Sequence, residues 1–145
     1  TDLAAAVGRP QLARLDASIA VRRALAARYI AALQGHPFLV APQERSDARS
    51  NWQSFPVTVR AGAGTATQNE LVRWFDDQGI ACRRGLTNAH QEPAYAGRNN
   101  WSGGPLPESE YLRDNTVFLP LFHGMSAAES DAVLEAIDAL RSARP

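Results

Sequence analysis

Alanine, leucine and arginine dominate residues 2–33, and all three favour helix. Gly8-Arg9-Pro10 falls inside this stretch, and proline removes a backbone donor, so a kink or break is predicted there. Beyond it, Leu12, Leu15, Ile19, Ala26, Ile30 and Leu33 fall close to one helical stripe, which Leu25 and Tyr29 widen. Gly35 and then Pro37 end the segment. Arg14, Arg22, Arg23 and Arg28 are predicted on its solvent side. A helix this long exceeds what a small sheet can cover, so it is expected to bridge to a neighbouring domain.

The rest of the chain is shorter in period. Residues 42–50 are polar and read as a loop. Residues 52–60 read as a strand, with Phe55, Val57 and Val59 alternating against Ser54, Thr58 and Arg60. Pro56 has no N–H to give a ladder, so it belongs at an edge or a bulge. Ala61-Gly62-Ala63-Gly64 is a flexible turn, and it lacks the third glycine of a dinucleotide fingerprint. Thr67-Gln68-Asn69-Glu70 is a capping box opening a helix that runs to Gln78 and stops at Gly79. Leu71, Val72, Trp74 and Phe75 give that helix its apolar side. Residues 80–83 read as a short strand, and residues 108–114 as one or two helical turns. Residues 116–121 form an apolar strand, and Ser126-Ala127-Ala128-Glu129 is a second capping box. The last helix carries Val133, Leu134, Ile137 and Leu140. Three short strands and three main helices make an α+β layer. Residues 85–107 form a long irregular stretch, and such loops in small domains are often functional.

Composition narrows the chemistry. All 15 basic side chains are arginine, so the 145 residues contain no Schiff-base lysine and no P-loop lysine. The length suits one domain. The single cysteine, Cys82, excludes an internal disulfide and any multi-cysteine zinc site. A formal net charge of zero argues against nucleic acid or an acidic membrane as partner. No apolar run approaches a membrane span and no signal peptide is visible, so a reducing, cytoplasmic setting is expected. Met125 is the only methionine, and a piece of a longer or processed protein is expected on that ground.

Several side chains invite functional readings. Arg83 and Arg84 open the long loop, where a guanidinium fork could take a carboxylate or phosphate or simply lie in solvent. His90 suits hydrogen bonding to a ligand or pinning of the loop. His36 beside Pro37 reads as helix-end chemistry. His90, His123 and Cys82 are too irregularly spaced for zinc and lack a fourth ligand. Cys82 reads as a small buried apolar residue rather than a nucleophile. Tyr95 and Trp101 could stack on a base or sugar ring, whereas Trp52 and Trp74 read as core. Asn100-Trp101-Ser102 is a chance sequon in a chain without a secretory signal.

Taken in order, several stretches resemble the C-terminal small domain of the DegT/DnrJ/StrS sugar aminotransferases. Residues 1–16 resemble the helix leading out of that family's large domain, and Arg22-Arg23 through Arg28-Tyr29 and Leu33 resemble the arginine-rich helix that follows. Asn51-Trp52-Gln53-Ser54-Phe55-Pro56-Val57 is similar to its first small-domain strand. Gly79-Ile80-Ala81-Cys82-Arg83-Arg84-Gly85, with His90 and Pro93-Ala94-Tyr95, resembles its substrate-side segment. Leu106-Pro107, Glu110, Leu119-Pro120-Leu121 and Met125-Ser126 resemble its closing strand and helix. Where many members carry a His-Tyr pair that contacts the nucleotide, this chain has Gly85-Leu86, and Cys82 stands in place of a threonine. With Asn88, His90 and Tyr95 retained, the pattern resembles a subfamily variant with a diverged substrate.

The resemblance implies the C-terminal domain of an aspartate-aminotransferase-like fold. That domain is a small, mainly antiparallel sheet of three to four strands, with helices packed on it and a long N-terminal linking helix. It implies a division into residues 1–35, linking to a large domain not present here, and residues 36–145, the small domain. It implies pyridoxal phosphate in the intact enzyme; with no lysine present, none is expected to be bound covalently to this chain, and no metal site is expected. It implies a keto, nucleotide-linked sugar as substrate, a homodimer or large-domain partner, and no catalytic residue in this chain. Arg83, Arg84, His90 and Tyr95 are its expected substrate-side residues. The alternative is a stand-alone, noncatalytic binding or regulatory domain that partners a full-length aminotransferase.

Overall fold

The alternation of one central strand sets the layers. In the computed structural model, which describes residues 1–60, 67–85, 87–95 and 104–143, β2 spans Phe55–Val59. Its odd residues are buried and its even ones half-buried. The sheet also holds β1 (Leu39–Val40), β3 (Arg83–Arg84) and β4 (Thr116–Leu119). The four strands are ordered β1-β2-β4-β3, and every pairing is antiparallel. The chain is thus α+β, with a four-stranded antiparallel sheet.

Among the described residues, helices α1 (Asp2–Ala13), α2 (Leu15–Ala32), α3 (Gln68–Asp77), α4 (Pro107–Asn115) and α5 (Ala127–Ser142) complete the element order, with one 3-10 turn, Ala89–Gln91. One core cluster joins Leu25, Ala26 and Tyr29 of α2, Leu71 and Phe75 of α3, and Val133, Ile137 and Leu140 of α5 to Phe55, Val57 and Val117 of the sheet. Each Val, Leu, Ile or Phe among them, when fully buried, contributes about 1.5–3 kcal/mol of transfer free energy. Tyr29 ties the layers together. Its ring meets Phe55 edge-on at 5.3 Å, and its hydroxyl donates to the Pro120 carbonyl at 3.1 Å. Burial pushes its phenol up to about 12.

Pro56 sits inside β2, opposite Phe118, in a strand flanked on both sides. The amide of Arg60 donates to Phe38 on the β1 side. N–H groups alternate along a strand, so those of residues 58 and 56 also face that side. Pairing with β1 ends at Val40↔Thr58, which leaves the β1 side of Pro56 open. The proline therefore occupies a local edge, where no ladder donor is needed.

Both capping boxes form. Thr67 and Ser126 accept from the amides of Glu70 and Glu129, whose carboxylates bond back to the cap residues. Hydrogen bonds to those carboxylates hold both below the usual glutamate range. Gly79 ends α3 with φ of 73°. The amides of Gly79 and Ile80 return to Asp76 and Phe75, and Ile80 is buried beyond them.

Four features depart from the sequence reading. The helical break falls at Arg14 rather than at residues 8–10, and Pro10 lies inside α1. Every residue of α1 is exposed, so a carbonyl deprived of its partner by Pro10 can bond to water. Leu12 and Leu15 are exposed, and only the stretch from Leu25 onward enters the core. Arg23 is not a free surface group. It pairs with Glu44 at 2.8 Å and donates to the Ser50 carbonyl, while Arg28 pairs with Asp131. That pairing with Arg23, helped by the Ser50 amide, pulls the Glu44 carboxyl down to about 2. Finally, β3 begins at Arg83, not at residue 80, and the two-residue β1 has no periodicity by which it could be seen.

Candidate functional site

The helices α2, α3 and α5 cover the face of the sheet that carries Phe55, Val57 and Val117. The opposite face is crossed by α4, whose Tyr111 hydroxyl donates to the Val59 carbonyl at 3.3 Å. A cleft of about 460 Å³ opens between them. Its floor is Pro56, Thr58, Thr116 and Phe118, and its walls include Arg83, Leu112 and Arg113. Among the described residues, two arginines and no carboxylate line it.

Strand geometry decides where the paired arginines go. Arg83 lies opposite Phe118 and Arg84 opposite Val117, so the two side chains leave opposite faces of the sheet. Arg83 enters the cleft, its guanidinium 4.8 Å over the Phe118 ring, a cation–π stack. Arg84 reaches a second, polar cleft of about 450 Å³ at the N-terminus of α3, with Thr67, Gln68 and Thr87. The structure therefore does not bring Arg83 and Arg84 together.

His90 does not line the cleft. Its Nε2 lies 3.1 Å from Glu110 Oε1, which fastens the 3-10 turn to α4. Tyr95 is exposed, with its amide bonded to the Glu92 carbonyl. Trp101, Leu86, the glycines at 62 and 64, and the sequon at 100–102 lie outside the described residues.

The wall that the sequence does not announce is a hydrogen-bonded chain. Ser109 donates to Asn88 Oδ1 at 2.9 Å, Asn88 Nδ2 donates to Gln91 Oε1 at 2.9 Å, and Arg113 donates to the same oxygen at 2.7 Å. Asn88 is buried, and its Oδ1 and one N–H of its Nδ2 are engaged in this chain, so it braces the wall. Gln68 donates to the carbonyls of Arg113 and Thr116 at 2.8 and 2.7 Å, locking the α4–β4 junction. The spacing of these residues in the sequence, from 68 to 116, hides the cluster.

Among the described residues the cleft presents groups that can bind and orient a ligand. Burial first, and Asp76 second, push the Cys82 thiol up to about 11, so it is protonated near neutrality. Among the described residues no group of three or more His, Cys, Asp or Glu side chains converges on a metal position. No helix among them is long and apolar enough to cross a membrane.

Residues 1–138 match the DegT/DnrJ/EryC1/StrS aminotransferase family. The chain belongs to that family. It is 30% identical over 137 residues to the spore coat polysaccharide biosynthesis protein SpsC of Bacillus subtilis, covering 94% of this chain and 35% of SpsC. Its fold superposes on DesV of S. venezuelae with a TM-score of 0.83 and 29% identity, over 96% of this chain and 36% of DesV. It also superposes on the E. coli GDP-4-keto-6-deoxy-D-mannose-3-dehydratase, whose structure holds hydrated PLP. There the TM-score is 0.79 and the identity 26%, over 91% of this chain and 34% of that one. This family member therefore spans about a third of the length of the relatives it matches. Its α+β sheet is the small-domain portion of their aspartate-aminotransferase-like fold.

Proposed function

We propose that the chain is the C-terminal part of a pyridoxal-phosphate-dependent aminotransferase acting on a keto, nucleotide-linked sugar, and that it forms one wall of the substrate cleft. One observation carries the reading: nearly the whole chain aligns with about a third of each relative, and none of its 145 residues is lysine. The residues present do not fit covalent attachment of pyridoxal phosphate, which needs a lysine amine. The cofactor and its chemistry therefore belong to the portion of the relatives that this chain does not span. Residues 1–35 act as the link to that portion and residues 36–145 as the small domain. Homodimerisation and a cytoplasmic setting belong to the same proposal.

In this role Arg83 meets the substrate from within the cleft, while Arg84, His90 and Tyr95, which do not line that cleft, belong to the same substrate-side segment of the chain. What the chain does is bind and orient. It holds a guanidinium, an amide-braced wall and an apolar floor at fixed positions, which is how a domain distant from the reacting bond lowers its barrier.

The test is to express the continuous reading frame that includes the codons upstream of Thr1. Its product is incubated with pyridoxal phosphate, glutamate and a keto nucleotide sugar, and the amino sugar is sought by mass spectrometry. Amino transfer supports the proposal. A start codon immediately before Thr1 overturns it in favour of a stand-alone binding domain, and a longer product that moves no amino group overturns the aminotransferase reading.

A further inference from the structure

The geometry points to the cleft on the open sheet face as a binding site for the oxyanion of a small molecule, a phosphate ester or carboxylate borne on an apolar or ring-shaped body. Arg83 is the anion-binding residue and Phe118 the residue that positions it. This deepens the functional reading above and rests on it for the identification of the cleft as the substrate side.

Charge comes first. Arg83 is exposed, and no carboxylate among the described residues pairs with it. The residues outside that set contain no aspartate or glutamate. The other guanidinium in the lining, Arg113, is already engaged by Gln91 and lies 3.6 Å from Asp114. Arg83 is thus the cation left without a counter-charge, in a cleft that no acidic side chain lines. A guanidinium seeks bidentate oxyanions, and a ring beneath it holds its plane while leaving its N–H edges outward.

A second, independent sign is Thr116. It is only 5% exposed, it lines this cleft, and among the described residues its hydroxyl has no hydrogen-bond partner. A buried hydroxyl without a partner is costly, and a ligand oxygen would relieve it. Thr58 stands opposite in register, so two hydroxyl-bearing side chains flank the same floor. Shape agrees with this. Pro42, Pro56 and Leu112 supply apolar surface beside the polar end, and about 460 Å³ lies within the roughly 300–1,000 Å³ of small-molecule sites.

The experiment is an NMR titration of the 145-residue chain and of the longer reading-frame product. The probes are phenyl phosphate, benzoate, inorganic phosphate and benzyl alcohol. Phenyl phosphate, benzoate or both are expected to shift the amides of Thr58, Arg83, Thr116 and Phe118 saturably. The tighter of the two names the oxyanion, and benzyl alcohol is expected to bind at least about tenfold more weakly. Arg83→Ala is expected to weaken the anion by about tenfold or more, and Phe118→Leu by a smaller factor with partial retention of binding. Arg9→Ala, on the exposed first helix, is expected to change nothing. Unchanged shifts away from the cleft show that each variant is folded.

Three results overturn the proposal. The first is unaltered affinity in Arg83→Ala. The second is a set of shifts confined to the polar cleft around Arg84. The third is binding by the short chain that the longer product has lost, since the remainder of the polypeptide then covers this face. The two readings fail separately. A longer product that transfers an amino group while Arg83→Ala keeps a wild-type KM defeats only the anion site. Saturable anion binding without amino transfer defeats only the aminotransferase reading.

Discussion

Nε2 of His36 lies 3.0 Å from the carbonyl oxygen of Ile137, a contact that ties the end of α2 to α5 across 101 residues of chain. Its Nδ1 accepts from the amides of Phe38 and Leu39 at 3.2 and 3.1 Å, so the ring must be neutral with its proton on Nε2. A second proton would face two donors in a buried site. Burial is the main cause lowering this pKa, and Arg141 and Arg60 act in the same sense, against the Ile137 carbonyl and Asp138. The unfolded chain therefore binds more protons below its ordinary histidine value of 6.5. Stability is expected to be fully present above that pH, to fall as the pH drops from it toward the lower folded value, and to level off beneath. Urea denaturation across a pH series reads this directly. His36→Gln should lose the step and cost about 2–3 kcal/mol at pH 8. A step of unchanged size in that variant assigns it to another group.

The two capping boxes make a second prediction. Thr67 and Ser126 each satisfy an orphan amide at the start of α3 and α5. Thr67→Ala and Ser126→Ala are each expected to lower stability by about 1 kcal/mol, and to do so additively because the two caps share no partner. Denaturation midpoints of the single and double variants test it. A double variant no worse than either single one would contradict independence.

Local signals such as these were legible because their physics is local. Thr67 with Glu70, Ser126 with Glu129, and the alternation of Phe55, Val57 and Val59 all announce themselves over a few residues. The family and the α+β class could be read for the same reason. What could not be read depends on partners distant in sequence. Leu12 continues the apolar stripe of Leu25 and Leu33 yet is exposed, because α1 contributes no side chain to the core cluster of the described residues. Arg83 and Arg84 look like one cluster in the sequence, and only their pairing with Phe118 and Val117 sends them apart. The cleft wall from Asn88 to Arg113 exists only once α4 folds back over the sheet.

Gly85 sits where a side chain does not fit. A Cβ there would lie 3.0 Å from the Thr116 carbonyl oxygen, 3.1 Å from the Thr116 Cβ and 3.2 Å from the Arg113 carbonyl oxygen. Two of these three atoms are backbone, at the junction that Gln68 clamps. Gly85→Ala is expected to cost about 1–3 kcal/mol, with amide shifts concentrated at the α4–β4 junction. A variant as stable as the parent would show that this junction yields freely.

Cys82 is a thiol placed for packing. It is half-buried against the core, its Sγ is 3.8 Å from the Val72 carbonyl, and its pKa is raised to about 11. At pH 7 roughly one molecule in ten thousand carries the thiolate that reacts. Alkylation by iodoacetamide is expected to be at least about tenfold slower in the native chain than in urea, and to accelerate as the pH rises toward 11. Equal rates in the two states would mean that the thiol is neither buried nor shifted.

The absence of lysine gives the last prediction. Pyridoxal phosphate attaches to proteins through a Schiff base, which requires an unprotonated primary amine. The 145 residues contain 15 arginines and no lysine, and a guanidinium remains protonated and does not condense in this way. In the isolated chain the only aliphatic primary amine is therefore the α-amino group of Thr1. Incubation with pyridoxal phosphate followed by borohydride is expected to label no internal residue, and peptide mapping by mass spectrometry locates any label. Joining the chain to an upstream segment that carries a lysine should restore a reducible adduct there, with the label found outside these 145 residues. An internal label on the isolated chain would mean that a side chain other than lysine holds the cofactor, and it would remove the basis for assigning the cofactor to the rest of the protein.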